Sequence, residues 1–345
     1  MALRASGGPT LGAMGEQVFI IGAGQMGLVM AFAAVEAGAD RVVVWGPSAA
    51  SIDLMRDTRT SPRLPGWSIP ERIEFEHDER MASDATLMVN AIPTQHVRQG
   101  WQRFASVIGA GEADVPVIST AKGLEIGSGL LPTEVIRQVL PEAPLAVLSG
   151  PTIATELVRR QPAVVIAAST TPGLPGRVHA AFGTEWLRIY ESEDLLGVEL
   201  AGALKNVIAL AAGVCDGLGL GFNAKSALLA RGLSEMTRLG VAMGAEHGTF
   251  QGIAGVGDLA TTCFSPDGRN RACGEAIAQG WDLAEYVESQ QCVVEGVPTL
   301  QSVLEGSRTL DVDLPIMNAV GRVFLEGVDP RSAIHGLMTR PSGPE

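Results

Sequence analysis

A glycine-rich hexapeptide near the N-terminus constrains the fold of this chain more than any other segment. Residues 22–27 read Gly-Ala-Gly-Gln-Met-Gly, and they lie between the apolar run Val18–Ile21 and a helix-length apolar segment. In a strand–loop–helix unit, Gly22 permits a tight turn, Gly24 lets the backbone approach a pyrophosphate, and Gly27 lets the helix pack against the strand. Free N–H groups at the start of the helix favour an anion. Because a second strand-like run follows about 20 residues later, the segment predicts a site for NAD or NADP.

The residues after that second run leave the choice between the two dinucleotides open. The run ends in Trp-Gly-Pro-Ser, residues 45–48. It therefore offers neither the carboxylate that binds the ribose 2′-hydroxyl of NAD nor an arginine for the 2′-phosphate of NADP. A 2′-phosphate would have to be held by Ser48, or by Arg56 or Arg59 further along.

Strand-like runs recur between Gln17 and Glu191, separated by helix-length segments. Several are continuous Val, Ile and Leu, which is typical of strands covered on both faces. The alternation predicts right-handed βαβ units and a mainly parallel sheet. The predicted strands are Val18–Ile21, Val42–Trp45, Arg72–Phe75, Leu87–Ile92, Val115–Thr120, Leu145–Leu148, Val164–Ala168 and Leu187–Tyr190.

After Asp194 the chain becomes rich in Ala, Leu, Met and Gly at helical spacing, and strand-like runs nearly vanish. The fold class predicted is therefore α/β, a Rossmann-like doubly wound, mainly parallel sheet followed by a smaller all-helical domain. The predicted units are a disordered extension at 1–15, a dinucleotide-binding domain at 16–194, a helical substrate domain at 195–338 and a tail at 339–345. The main predicted helices of the second domain are Leu195–Gly213, Ala224–Met243 and Arg271–Gln279.

Charge and cysteine usage exclude several classes of protein. The formal net charge of −13 argues against a nucleic-acid binder, which must neutralise phosphates, but a few local cations can still bind a small anion. Cys215, Cys263, Cys273 and Cys292 form no CxxC pair and have no histidine at metal-ligand spacing. We expect reduced, packed thiols, no metal site and a cytoplasmic location. No stretch approaches the roughly 20 apolar residues of a membrane span, so no membrane insertion is expected.

A lysine stands inside an apolar helical segment. Between Ala201 and Val214 the only polar side chains are Lys205 and Asn206. Such a lysine must either extend to water or be held in a polar pocket. Burial would lower its pKa toward the range that is useful for proton transfer, so Lys205 is a candidate donor to a carbonyl that accepts a hydride.

A second polar group follows a glycine-rich stretch. Residues 255–257, Gly-Val-Gly, predict a turn, after which Asp258 and Thr262 lie at i, i+4 on a helix. Arg269 and Asn270 open the next helix, and a cation beside free N–H groups suits a phosphate. Asp258 as a helix cap and Arg269 as a surface ion pair are the structural alternatives.

Two loops should end neighbouring strands of the sheet. Lys122 lies just after the fifth strand, and the loop that contains Gly150 and Thr152 follows the sixth. Ligands of open α/β sheets bind at the carboxyl ends of the strands, so both loops could line one crevice. An exposed lysine without a ligand is the alternative for Lys122.

These motifs, in this order, resemble the bacterial-type NAD(P)-dependent sn-glycerol-3-phosphate dehydrogenases, over residues 17–333. Several motifs in the right order are far more specific than any single one. The stretches that carry the resemblance are AKGLE at 121–125, LSGPT at 148–152, GVELAGALKN at 197–206, GVGDL at 255–259, RNR at 269–271 and VEG at 294–296.

The resemblance implies reversible reduction of dihydroxyacetone phosphate to sn-glycerol 3-phosphate, the backbone of glycerophospholipids, by a cytoplasmic homodimer that uses NAD or NADP. It makes Lys205 the proton donor, oriented with the substrate hydroxyls by the catalytic residues Asn206, Asp258 and Thr262. The residues that it assigns to the substrate are Lys122, Gly150, Thr152, Lys205, Asp258, Gly268, Arg269 and Asn270. The residues that it assigns to the cofactor are Gly22, Gly24, Gln25, Met26, Gly27, Pro47, Lys122, Ala154, Arg269, Val293 and Glu295.

Four residues depart from the family pattern. Gln25-Met26 replaces a Ser-Trp-like pair, Pro47 stands where an arginine often binds the phosphate of NADP, and Gly268 stands where serine is frequent. The alternatives are a related dehydrogenase that acts on another phosphorylated ketone or on a β-hydroxyacid, and a non-catalytic NAD(H)-binding sensor. Arg269 and Asn270 speak against a carboxylate substrate, and the presence of Lys205 speaks against a sensor.

Overall fold

A computed structural model describes residues 15–108, 115–290 and 293–341. The sheet has eight strands in the order β3-β2-β1-β4-β5-β6-β7-β8, and every neighbouring pair is parallel except β6–β7. All eight predicted strands are confirmed, with ends shifted by a few residues. The strands are β1 Gln17–Ile21, β2 Arg41–Trp45, β3 Ile73–Glu76, β4 Leu87–Asn90, β5 Val117–Ser119, β6 Leu145–Ser149, β7 Ala163–Ala168 and β8 Leu187–Ser192.

Helices cover the sheet and make up the chain after it. Those of the first part are α1 Gln25–Ala37, α2 Ala49–Thr58, α3 Val97–Ile108, α4 Pro132–Val139, α5 Ala154–Leu157 and α6 Leu174–Phe182. Those that follow are α7 Leu195–Gly217, α8 Gly221–Ala242, α9 His247–Phe250, α10 Asp258–Phe264, α11 Arg269–Ala278, α12 Leu283–Gln290, α13 Gly296–Gly306, α14 Pro315–Phe324 and α15 Pro330–Met338.

The apolar strands are buried on both faces, as their composition predicts. On one face Leu28 of α1 and Phe182 of α6 pack against the sheet, and on the other Trp101 and Phe104 of α3 do so. A separate core surrounds α7 in the helical part. The α/β fold class with a Rossmann-like sheet and a helical C-terminal domain is therefore confirmed.

Helix α7 corrects one expectation. It is long and apolar enough to cross a membrane, although the sequence was expected to hold no such segment. However, 94% of its most apolar window is buried inside the protein. Asp194 caps the helix by accepting a hydrogen bond from the Gly197 N–H at 2.8 Å. The apolar character of α7 is thus that of a core helix.

Helices α7 and α11 touch through their backbones. A Cβ atom added at Gly213 would lie 1.9 Å from the carbonyl oxygen of Arg271, and one at Gly274 would lie 2.0 Å from that of Leu210. No side chain fits at either position, because real Cβ contacts are never this short. This glycine contact fixes the spacing between the two helices.

The turn predicted at Gly255–Gly257 is wrong. Residues Ile253–Gly257 form a π-helical turn that continues directly into α10. A Cβ at Gly255 would lie 2.0 Å from the carbonyl oxygen of Phe250, so this glycine serves close packing. Residues 1–14 and 342–345, which carry most of the predicted extension and tail, lie outside the described residues, and the predicted domain limits stay predictions.

Candidate active site

The predicted site loops all leave the same edge of the sheet. Strands β1, β4, β5 and β6 are consecutive in the parallel part, so their carboxyl ends lie side by side. The connections reverse direction between β1 and β4, which is where open α/β sheets form a crevice for ligands. The glycine loop, Lys122 and Gly150 follow β1, β5 and β6, respectively.

Lys205 is buried in this crevice and does not extend to water; its exposed fraction is 6%. Its Nζ donates to Asp258 Oδ1 and, at 2.6 Å, to Thr262 Oγ1. Burial lowers the pKa of Lys205 to about 8; the charge of Asp258 opposes this shift and that of Lys122 reinforces it. Since an ammonium has three N–H donors, one is left for a substrate oxygen.

Asp258 joins the two lysines of the site. It is 1% exposed, and its Oδ2 accepts from Lys122 Nζ at 2.7 Å, while its Oδ1 accepts from Lys205. Lys122 also donates to the Gly150 carbonyl at 2.9 Å and to Thr152 Oγ1 at 3.3 Å. Lys122 is thus a partly buried member of the site, and a substrate oxygen would have to replace one of these partners.

A chain of amide hydrogen bonds runs beside the lysines. Asn206 donates to the Lys122 carbonyl at 3.1 Å and accepts from Asn270 Nδ2 at 2.8 Å. The side-chain oxygen of Asn270 accepts from the Gly296 N–H at 2.9 Å. Asn206 therefore holds the Lys122 loop, and its predicted role in orienting Lys205 stays a prediction. Asn270 joins α7 and α11 to the start of α13.

Arg269 and Glu295 lie near each other, the first exposed and the second with a largely buried carboxylate. Arg269 is exposed and donates to the Val293 carbonyl at 3.3 Å. Glu295 Oε1 accepts from the backbone N–H of Thr94 at 3.0 Å. Burial raises the pKa of Glu295, against the opposing effects of Thr94 and the Arg269 charge.

Thr94 is a site residue that sequence reasoning missed. It is fully buried just after β4, and a Cβ added at Gly123 would lie 2.7 Å from its Oγ1. Its only signal was its position at the carboxyl end of a strand, which many residues share. Its partner Glu295 lies 201 positions away in the chain, a pairing that no local pattern could have shown.

The glycine loop has the shape that a dinucleotide needs. Gly22 has a φ of +123°, and a Cβ there would lie 2.5 Å from the Ala91 carbonyl oxygen. A Cβ at Gly27 would lie 1.8 Å from the Gly22 carbonyl oxygen, so the first turn of α1 is in direct backbone contact with the loop. Gly24 caps α1 and faces open space, which leaves the first N–H groups of the helix accessible to a pyrophosphate. The residues present therefore fit NAD or NADP.

The three residues predicted to hold a 2′-phosphate near the end of β2 all have other hydrogen-bond partners. Ser48 caps α2, Arg56 donates to Asp53 and to the Phe75 carbonyl, and Arg59 donates to the Ile73 carbonyl. Pro47 is exposed beside them. In the glycine loop, the side chain of Gln25 donates to the Arg63 carbonyl at 2.7 Å, which places an exposed arginine near the loop that the sequence analysis did not consider.

The cysteines of the described residues are buried, and none belongs to a group of side chains that could hold a metal ion. Cys215, Cys263 and Cys273 are buried thiols, as expected, and Cys292 lies outside the described residues. Burial raises the pKa of Cys263 to about 12, so this thiol is protonated and unreactive. In residues 15–108, 115–290 and 293–341, no group of three or more His, Cys, Asp or Glu side chains could hold a metal ion.

Fold and site together define a nicotinamide-dinucleotide-dependent dehydrogenase with a buried lysine on a helix of a second, helical domain. The family model described as the N-terminus of NAD-dependent glycerol-3-phosphate dehydrogenase matches residues 17–174, and the model of the C-terminus matches residues 194–335. The chain belongs to the NAD-dependent glycerol-3-phosphate dehydrogenase family.

Individual relatives agree over nearly the whole chain. A protein of Frankia casuarinae named glycerol-3-phosphate dehydrogenase, NAD(P)+, is 41% identical over 94% of this chain and 97% of its own length. One of the same name from Streptomyces coelicolor is 39% identical over the same shares. The crystal structure of glycerol-3-phosphate dehydrogenase from Coxiella burnetii superposes with a TM-score of 0.89 at 31% identity, covering 94% of this chain and 99% of that one.

Proposed function

We propose that this protein reversibly reduces dihydroxyacetone phosphate to sn-glycerol 3-phosphate, with NAD(P)H as the reductant and Lys205 as the proton donor. The observation that carries the proposal is the buried Lys205–Asp258–Lys122 group at the carboxyl edge of the sheet. The product is the backbone of glycerophospholipids, so the reaction would supply lipid synthesis.

Residues of the chain donate and accept the proton of the reaction. When bound, the nicotinamide supplies the hydride. Lys205 donates its remaining N–H to the ketone oxygen, and in the reverse direction its neutral amine accepts the alcohol proton. Asp258 and Thr262 hold the other two N–H groups, which fixes the direction of the third.

A cation at the mouth of the crevice suits the phosphate. Arg269 opens α11, and its exposed guanidinium can form a bidentate contact with a dianion, as free helix N–H groups assist. Asn270, with its carboxamide bound to Asn206 and Gly296, supports the same turn. We call residues 265–270 the phosphate turn.

The remaining assigned residues surround the dinucleotide. Gly22, Gly24, Gln25, Met26 and Gly27 would hold the pyrophosphate through the loop and the start of α1. Lys122, Ala154, Val293 and Glu295 would lie around the nicotinamide, and Pro47 would face the adenosine ribose. Membership of the family also supports a cytoplasmic homodimer with domains at 16–194 and 195–338.

The experiment that tests the proposal follows the oxidation of NADH and of NADPH with dihydroxyacetone phosphate as substrate. Turnover is expected, and the ratio of the two kcat/KM values gives the cofactor preference that Pro47 and the committed arginines leave open. Dihydroxyacetone without the phosphate is the control and should react poorly. No turnover with either cofactor, while both still bind, would contradict the proposed substrate.

A further inference from the structure

Behind the phosphate turn lies a partly buried ion cluster that the proposed chemistry does not use. The two carboxylate oxygens of Asp216 accept from Lys225 Nζ at 2.8 and 2.7 Å, and Oδ2 also accepts from Arg271 Nη1 at 2.7 Å. The side chains of Lys225 and Arg271 are 9% and 14% exposed. This is a fixed feature of the interior, unlike the loose ion pairs of protein surfaces.

Arg271 holds the phosphate turn from behind. Its Nε donates to the Ser265 carbonyl at 2.9 Å, and its Nη2 lies 3.5 Å from the Pro266 carbonyl. Nη1 also donates to Glu275 at 3.0 Å. A guanidinium is a rigid planar fork, so these contacts fix the two carbonyls relative to Asp216. Those carbonyls immediately precede the residues that would bind the phosphate.

Lys225 ties the helix that carries Thr262 to the same point. Its ammonium lies 5.0 Å from the ring centroid of Phe264, the last residue of α10. The cluster therefore joins the end of α7, the first turns of α8, the end of α10 and the start of α11. Lysine occurs at only three positions of the whole chain, and the other two, Lys122 and Lys205, form the proposed site.

We propose that Asp216, Lys225 and Arg271 are positioning residues that fix the phosphate turn relative to the proton donor. Asp216 lies on the same rigid helix as Lys205, so the cluster anchors the turn to the element that carries the reacting amine. This inference rests on the proposed function. If the inference is right, loss of the cluster weakens binding of the phosphate and leaves the transfer of the proton largely intact.

The test compares Arg271→Gln with Arg340→Gln, a matched variant that breaks a surface ion pair with Asp313. For Arg271→Gln we expect KM for dihydroxyacetone phosphate to rise about tenfold. We expect kcat, and kcat/KM for dihydroxyacetone, to stay within about twofold of the wild type. Arg340→Gln should change none of these. Arg271→Lys should restore part of the loss, and Arg269→Ala gives the effect of losing the direct contact.

Equal losses with the phosphorylated and unphosphorylated ketones would show a merely structural role and overturn the inference, as would an unchanged KM. If Arg271→Gln does not fold, Asp216→Asn, which removes the charge that holds Arg271 Nη1, provides the same comparison. If the wild type reduces neither ketone, the proposed function fails. The role of the ion cluster is then tested by calorimetric titration of the wild type and of Arg271→Gln with inorganic phosphate. Phosphate binding that is about tenfold weaker in the variant supports the proposed positioning role. Equal phosphate binding, or no phosphate binding by the wild type, overturns that role.

Discussion

At the scale of single residues, the charge of Lys205 results from neighbours that act in opposite directions. Burial lowers its pKa to about 8, the carboxylate of Asp258 favours the charged form, and Lys122 disfavours it. At neutral pH the amine is therefore mostly protonated, yet it loses its proton at moderate cost. A group that donates in one direction and accepts in the other needs this balance.

The pH dependence of the reaction should follow this pKa. Because only protonated Lys205 can donate, kcat/KM for ketone reduction should fall as the pH rises through about 8, and alcohol oxidation should rise over the same range. Asp258→Asn removes the charge that raises the pKa, so both profiles should move to lower pH. The surface variant Asp53→Asn is the control. Profiles of Asp258→Asn that stay in place, or move to higher pH, contradict the assignment.

Removal of the amine should abolish most of the turnover. Lys205→Met keeps an unbranched side chain only one atom shorter but has no proton to give, so kcat should fall by about 100-fold or more. Binding of NADH, measured by fluorescence titration, should stay within about twofold. Lys205→Arg keeps the positive charge without a usable proton and should be equally impaired. Substantial activity in the arginine variant would show that the charge alone is needed.

Part of the site could be predicted from residue types and part could not. Lys205 stood out because a lysine in an apolar helix must either extend to water or be held in a polar pocket, and Asp258 because it shares a helix face with Thr262. The partners of Asn206 could not be predicted, since Lys122 and Asn270 lie 84 and 64 positions away from it. Such contacts depend on the docking of distant elements, which local sequence patterns do not encode.

At the scale of elements, the glycine contact between α7 and α11 places Lys205 and the phosphate turn on two helices that cannot slide past each other. Gly217 belongs to the same contact, since a Cβ there would lie 2.5 Å from the Glu275 carbonyl oxygen. The helices therefore approach through backbone atoms along two turns. This packing sets the distance between the two helix axes.

A methyl group added in this contact should lower the free energy of unfolding. Gly213→Ala forces the helices apart and should lower the free energy of unfolding by about 1–3 kcal/mol, as overpacked interiors do. Gly306→Ala is the matched control, because nothing lies within 4 Å of the added Cβ. Denaturant unfolding of the two variants measures the difference. Equal stability would show that the contact can relax.

The elements themselves were largely predictable. Continuous apolar runs identified the central strands, because strands that are covered on both faces need such runs. The outer strands β3 and β8 were identified from alternating polar and apolar residues. The glycines at 255–257 led to the wrong prediction of a turn that precedes the helix, because glycine favours turns in general. Gly255 instead permits a backbone contact with Phe250, which is a property of packing and is invisible in the local sequence.

At the scale of the whole molecule, a buried glutamate joins the helical part to the sheet part. Glu199 of α7 accepts from the backbone N–H of Thr133 at 2.9 Å and also bonds to the Thr133 hydroxyl, at the start of α4. Burial raises the pKa of Glu199 to about 7.

Stability should therefore depend on pH through Glu199. Its pKa rises from 4.5 to about 7 on folding, so between these values the folded protein binds more protons than the unfolded chain. Stability of the wild type falls as the pH rises through this window. Glu199→Gln does not titrate, so its free energy of unfolding relative to wild type should increase by on the order of 3 kcal/mol from pH 4.5 to pH 7. Glu185→Gln, at an exposed position, is the control. A difference that is constant with pH contradicts the role of Glu199.

The backbone contact between α7 and α11 also determines which small molecules can block this protein. The span from Lys205 to the phosphate turn is set before any ligand arrives, and the helices leave no room to adjust it. A compound that joins a ketone-like oxygen to a dianion through a stiff spacer of that span keeps its shape on binding and so loses few internal rotations. A stiff spacer of that span should therefore bind more tightly than a flexible spacer of the same length.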